Sequence, residues 1–169
     1  MKKYSSINNR QSTIQLPSCH LAVLPYMIMI YSTSTKYAVI ALIELAVRQN
    51  DRPVQIREIS ASTGIPHHFL AKLIQTLVKA GILSSAKGRG GGLKFVRSPE
   101  ELTIAEVVRA IDGQQAFQSC IFGLQSCDGT KNCPIHPVWC RIRDQIINFL
   151  ENTTVADLAF KMRQEDEKP

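Results

Sequence analysis

Cys120, Cys127 and Cys133 are separated by six and five residues in a stretch that also holds Gly123, Asp128, Gly129 and Asn132, and His136 follows three positions after the last. Glycine, Asn and Asp favour turns over regular helix or strand, so this segment reads as a loop able to wrap a metal group. Soft thiolates select zinc, copper(I) or iron-sulfur centres. Zinc knuckles pair cysteines about two to four residues apart; the looser spacing here favours an iron-sulfur centre on Cys120, Cys127 and Cys133, with His136 as the candidate fourth ligand. Cys140 lies inside the helix that Pro137 begins and reads as a small packing residue or a spare thiol. The chain has five cysteines, four of them within residues 120 to 140. That crowding is unlike the disulfide framework of a small secreted domain and fits metal or redox chemistry in a reducing cytosol.

A chain of 169 residues, 44% of them apolar, can bury one core that holds such a loop in place. Charge is uneven: residues 29 to 98 carry +7 and residues 99 to 169 carry −4. The basic half is the candidate polyanion surface. Tyr37, Ala38, Ala41, Leu42, Leu45 and Ala46 predict an amphipathic helix over 35–49 with Thr35 as its cap. A second helix runs from about 55 to 62, burying Ile56 and Ile59, and Gly64 supplies a tight turn before Pro66 opens a third. There, Phe69, Leu70, Leu73, Ile74, Leu77 and Val78 form the inward stripe. His68, Ala71, Lys72, Gln75 and Lys79 share the outward face, which suits a major groove.

Gly81 ends that helix, and Ile82 to Ser84 and Leu93 to Val96 read as two strands of a hairpin whose tip is Lys87 to Gly92. Glycines let the backbone approach a phosphate, and Lys87, Arg89 and Lys94 supply positive charge. The same glycines do not make a nucleotide loop, because no Lys-Ser or Lys-Thr pair and no helix follows them. The expected fold class is mainly α with a small β wing: a winged helix-turn-helix followed by a long dimerisation helix.

Thr103 and Glu106 form a capping box for a short connector helix ending at Asp112 and Gly113. Ile135, Val138, Trp139, Ile142, Ile146, Phe149 and Leu150 then recur at helical spacing, more apolar surface than the winged domain needs, which points to a homodimer helix. Thr154 and Asp157 cap a last short helix, and the charged end from Gln164 should fray. The domain reading is a leader at 1–28, a DNA-binding domain at 29–98, a connector at 99–117, a cysteine loop at 118–136 and a dimerisation helix with its tail at 137–169. The leader has no clear period; it reads as disordered tail or as sequence upstream of a true start at Met27 or Met29, which leaves Cys19 and His20 without a role. No apolar run approaches the ~20 residues needed to span a bilayer.

Tyr37-Ala38, the triple glycine within Lys87 to Gly92, Asp112, the three cysteines and Thr154 to Leu158 fall in an order that resembles the iron-sulfur winged-helix regulators whose members include IscR and NsrR, over about residues 30 to 162. The resemblance implies that Cys120, Cys127 and Cys133 hold the cluster, and the Cys133 to His136 spacing looks like the IscR branch, where a histidine completes a 2Fe-2S site. Members like NsrR can use a carboxylate of the first helix instead; Lys36 stands there and cannot ligate, so 2Fe-2S is favoured over 4Fe-4S. The resemblance also places DNA contacts at His68, Lys72 and Lys87. The spacing of six between Cys120 and Cys127 and the residues His68 and Lys72 depart from the family pattern, so operator preference does not carry over. The expected function is a non-enzymatic regulator that binds palindromic double-stranded DNA as a dimer under the control of an iron-sulfur cluster. A zinc site or a thiol switch in the same kind of regulator is the alternative, and an iron-sulfur electron-transfer protein is a more distant one that would not need the basic wing.

Overall fold

The computed structural model describes residues 31–48, 52–88, 90–118, 120–121, 127 and 133–166. In chain order the elements are α1 (Thr33–Arg48), α2 (Ile56–Thr63), α3 (His67–Lys79), β1 (Leu83–Ala86), β2 (Gly92–Phe95), α4 (Ile104–Asp112), a 3-10 turn (Gln114–Gln118), α5 (His136–Glu151) and α6 (Val155–Asp166). The mainly helical fold with a two-stranded wing is as the sequence predicts. No described helix is long and apolar enough to cross a membrane.

Helix α1 begins two residues earlier than its apolar period suggests, because its cap is Ser32 and not Thr35. The Ser32 hydroxyl accepts from the Thr35 amide at 3.1 Å. Ser32 in turn donates its own amide to Asp112 at 2.8 Å and its hydroxyl to the same carboxylate. Thr35 lies inside the helix, buried. Asp112, at the end of α4, thus fixes where the first helix starts.

The core is one contiguous cluster. Ala38, Ala41, Leu42 and Leu45 of α1 meet Ile59 of α2, Leu70, Ile74 and Leu77 of α3, Leu83 and Leu93 of the wing, and Val107 and Val108 of α4. Side chains three and four apart on each helix make these inward stripes. Helix α6 packs along α1, and the Arg163 guanidinium donates to the last carbonyls of that helix, Ala46 at 3.1 Å and Val47 at 2.9 Å. Those carbonyls have no partner inside the helix, and a cation there also suits the helix dipole. Helix α6 continues through Asp166, past Gln164 where charge-rich composition predicts fraying.

The connector is capped as its sequence predicts. Thr103 Oγ1 accepts from the Glu106 amide at 3.3 Å, and Glu106 accepts from the Thr103 amide at 3.0 Å. Partial burial alone would raise the Glu106 pKa, but its bonds to Arg97 and Thr103 outweigh this and hold it below the ordinary 4.5. A carboxyl lowered in the folded state contributes stability above its unfolded pKa and loses it as pH falls through the folded value. Glu106→Gln is therefore expected to be less stable than the parent at pH 7 and to match it in more acid solution, read by urea titrations across pH 3 to 7. A gap unchanged over that range would show that the carboxylate charge contributes nothing.

Candidate functional site

Two surfaces carry the residues of interest, and the first is built by α2, α3 and the wing. Leu70, Leu73, Ile74 and Leu77 anchor α3 in the core, with Phe69 and Val78 half-buried beside them. The Phe69 ring meets Tyr37 of α1 edge-on, centroids 5.6 Å apart. His68, Lys72, Gln75 and Lys79 are left exposed on the opposite face. Lys87 and Lys94 are exposed on the wing, while Arg89 lies outside the described residues.

The wing is held to α2 by bonds that no local pattern announces. Strands β1 and β2 pair antiparallel from Leu83 with Phe95 to Ala86 with Gly92. Val54 adds a further bridge, its amide and carbonyl both bonded to Leu93 at 3.1 and 2.8 Å. The Gln55 side chain donates to the Gly91 carbonyl. Gly92 sits at φ +156°, where an added Cβ would lie 2.8 Å from the Val54 carbonyl oxygen. Between these parts runs a cleft of about 440 Å³ lined by Gln55, Arg57, His67 and Gly90 among others. Gly92→Ala should break the Val54 bridge and free the wing, with a stability loss on the order of 1–3 kcal/mol and weaker DNA binding. A thermal melt that matches the parent would refute this role.

Helix α3 and the wing each carry exposed basic groups, the residue types with which a recognition helix enters a major groove and a wing follows the adjacent backbone. Lys72→Ala is expected to leave thermal stability within about 0.5 kcal/mol. If Lys72 neutralises a phosphate, its removal should reduce the slope of log affinity against log salt by about one. An unchanged salt slope would remove Lys72 from the interface.

The second surface is the start of α5. His136 opens the helix, its amide bonded to the Cys133 carbonyl at 3.1 Å. Cys127 Sγ lies 3.4 Å from His136 Nδ1, and Cys140 Sγ lies 3.8 Å from the same nitrogen and 3.4 Å from Nε2. The ligand atoms of Cys127, His136 and Cys140 are all within 4.8 Å of one another. Cys120 stands beside Cys127: burial raises the Cys127 pKa, the neighbouring Cys120 thiol raises it further, Arg143 opposes both, and Cys140 adds a smaller upward push. Of the four residues that the sequence singles out, Cys127 and His136 are brought together, with Cys120 beside Cys127. Cys133 meets them through its carbonyl and is not among the three whose ligand atoms converge. Cys140 takes that place, and one signal could have found it: a cysteine four residues after a histidine, one helical turn away on the same face.

Along α5, Trp139 and Leu150 face inward, whereas Val138, Ile142 and Phe149 are 49, 44 and 57% exposed and Ile135 at its start is 42% exposed. Spacings of three, four and seven put these exposed residues on one stripe. Helix α4 packs against α1, α3 and α5, and Arg109 of α4 bonds Glu151 of α5 at 2.7 Å. The two surfaces thus share one intervening helix.

The family model for Rrf2, described as an iron-dependent transcriptional regulator, matches residues 31–161. The chain belongs to the Rrf2 family. A relative in Aquifex aeolicus, a putative HTH-type transcriptional regulator, is 33% identical over 132 residues, 77% of this chain and 91% of that one. The HTH-type transcriptional regulator IscR of Pectobacterium atrosepticum is 32% identical over 123 residues, 73% of this chain and 74% of its own length. Among solved structures, CymR, the global cysteine regulator of B. subtilis, superposes with a TM-score of 0.67 at 26% identity, covering 79% of this chain and 98% of that one. IscR of T. potens gives 0.64 at 25% identity, over 82% and 90%. This Rrf2 chain is accordingly a winged-helix transcriptional regulator that binds DNA, and its relatives are regulators rather than enzymes.

Proposed function

We propose that this Rrf2 protein works in the cytoplasm as a homodimer on palindromic double-stranded DNA, and that its DNA affinity is controlled by an iron-sulfur cluster, 2Fe-2S in preference to 4Fe-4S. Cys120, Cys127, Cys133 and His136 are the proposed ligands. His68, Lys72, Gln75, Lys87, Arg89 and Lys94 are the proposed DNA contacts. The observation that carries the reading is the approach of Cys127 to His136 at 3.4 Å, beside Cys120, on the first turn of the helix that bears the exposed apolar stripe. Soft sulfur and imidazole donors of this kind fit an iron-sulfur group. Similarity to IscR proteins and to a family model described as iron-dependent supports the same choice. Lys36, the α1 residue in place of a ligating carboxylate, is exposed and cannot ligate.

A bound cluster supplies bonds that oxidation, nitric oxide or iron shortage breaks. The rest belongs to the chain. His136 is both a ligand and the first residue of α5, so holding or releasing its ring changes how the start of that helix is pinned to the cysteine loop. Helix α4, bonded to α5 through Arg109 and packed on α1 and α3, relates that change to the recognition helix. A coupling of about 1–3 kcal/mol corresponds to a roughly five- to 150-fold change in DNA affinity.

The test is anaerobic purification with a visible spectrum, iron and sulfide content, and operator titrations, beside Cys127→Ala. A brown parent and a colourless variant with altered operator affinity are expected. A colourless parent that takes up no iron on reconstitution would overturn cluster control and leave a DNA-binding regulator.

A further inference from the structure

Cys140 has no part in the proposed cluster, yet it lies as near to His136 as Cys127 does. Both sulfurs flank the same imidazole nitrogen, with Cys127 Sγ at 3.4 Å and Cys140 Sγ at 3.8 Å from Nδ1. A tetrahedral zinc ion, with Zn–S of about 2.3 Å and Zn–N of about 2.0–2.1 Å, separates its sulfur and nitrogen ligands by about 3.5 Å and its sulfurs by about 3.8 Å. The three side chains already stand close to that spacing, two of them one turn apart on a helix and the third reaching in from the loop.

A second feature points to the same place. Arg143 follows Cys140 by three residues, and its Nη2 lies 3.5 Å from Cys140 Sγ. Its Nε and Nη1 are buried without a hydrogen-bond partner among the described residues. A guanidinium with donors to spare beside thiols suits a site where those thiols become anionic.

We propose that Cys127, His136 and Cys140 form a site for a single soft divalent cation, zinc by class, in which Cys140 serves in place of Cys133. As the ion binds, each thiol gives its proton to solvent and the sulfur lone pair forms the metal bond; no electron is transferred. His136 contributes a ring nitrogen, and the fourth position is left to solvent or a further donor. Cys127 and His136 belong to both donor sets, so zinc and the cluster exclude one another, and Cys133 and Cys140 are the residues that tell the sets apart. The zinc site stands on its own geometry and holds whether or not a cluster ever forms.

The experiment uses the full cluster-free chain, kept reduced, and titrates zinc against a chromophoric chelator in the parent, Cys140→Ser, Cys133→Ser and His136→Ala. The parent is expected to bind one zinc per chain. Cys140→Ser and His136→Ala should each weaken binding by more than roughly tenfold, since even the outer partners of metal ligands are worth about 10- to 100-fold. Cys133→Ser should stay within about threefold of the parent. Cobalt(II) in place of zinc gives a second readout: its thiolate charge-transfer absorbance should fall in Cys140→Ser and persist in Cys133→Ser. Metal-free melting curves that coincide with the parent show that each variant has folded; if Cys140→Ser melts early, Cys140→Ala is used in its place. Zinc affinity lost with Cys133 and kept without Cys140 would overturn the proposal, as would a parent that binds no zinc. Iron reconstitution of the same variants separates this result from the cluster reading, which requires Cys133 and not Cys140.

Discussion

Changing Ile142 and Phe149 together to glutamate is expected to turn the protein into a monomer and to lower its affinity for a two-half-site operator by about 10²- to 10⁴-fold. Both side chains are exposed on α5, 44% for Ile142 and 57% for Phe149, in line with Val138 and Ile135. An isolated exposed apolar side chain needs no explanation, but four along one helix face form a surface that water covers at a cost. In the proposed homodimer, pairing that face with its copy about a two-fold axis would bury the stripe and set two recognition helices for a palindrome. Carboxylates on the stripe would have to lose water and face their own copies, so association fails while the monomer's core is untouched. The size of the DNA effect comes from effective concentration: a tethered second head finds its half-site at roughly millimolar local concentration, and a free one does not. Sedimentation of the double variant, with titrations on whole and half operators, reads both. Half-site affinity should be unchanged. A variant that still sediments as a dimer would place the interface elsewhere.

Leu70→Ala is expected to cost about 2–5 kcal/mol of stability, a large share of the roughly 5–15 kcal/mol that holds a typical domain together. Leu70 is fully buried on α3, in the cluster where α1, α2, the wing and α4 meet. Removing it leaves a cavity beneath the recognition helix as well as losing the apolar burial. Its contrast with Lys72 is informative because the two residues sit two positions apart on opposite sides of one helix. Leu70→Ala should lower the unfolding midpoint and weaken all DNA sequences together as folded protein is depleted. Lys72→Ala should leave the midpoint in place and change the salt slope. If Leu70→Ala melted within a degree of the parent, the inward face of α3 would have been assigned to the wrong side.

What the sequence made legible was local. The stripe from Phe69 to Val78, the Thr103-Glu106 box and the Thr154-Asp157 cap are all set by partners within a few residues, and the structure has each of them in place. Ser32 caps α1 through a local bond to the Thr35 amide, but what holds Ser32 in that place is Asp112, 80 residues away, and no local pattern shows it. Gln55 and Val54 gave no hint of fastening the wing, for the same reason: their partners are Gly91 and Leu93. Cys140 lies between these cases. Its spacing from His136 was visible, but the spacing acquires meaning only once α5 is known to begin at His136, since the same two residues in a loop would share no face. The cysteine loop had no period to read. Its chemistry was legible from residue type alone, and which thiols converge was not.

The grip of Arg163 on Ala46 and Val47 spans 117 and 116 residues of chain, and that span sets a timetable for synthesis. A ribosome adding about 5–20 residues per second takes on the order of ten seconds to pass from the end of the first helix to the residue that closes it. The reading head is made early and remains unlatched through that interval, with the flank of α1 that α6 will cover still bare. All four cysteines between residues 120 and 140 emerge before the latch does. The proposed metal ligands are therefore made before the first helix is secured, and a message cut short of Arg163 yields a head that has its recognition helix but lacks the clasp across its back.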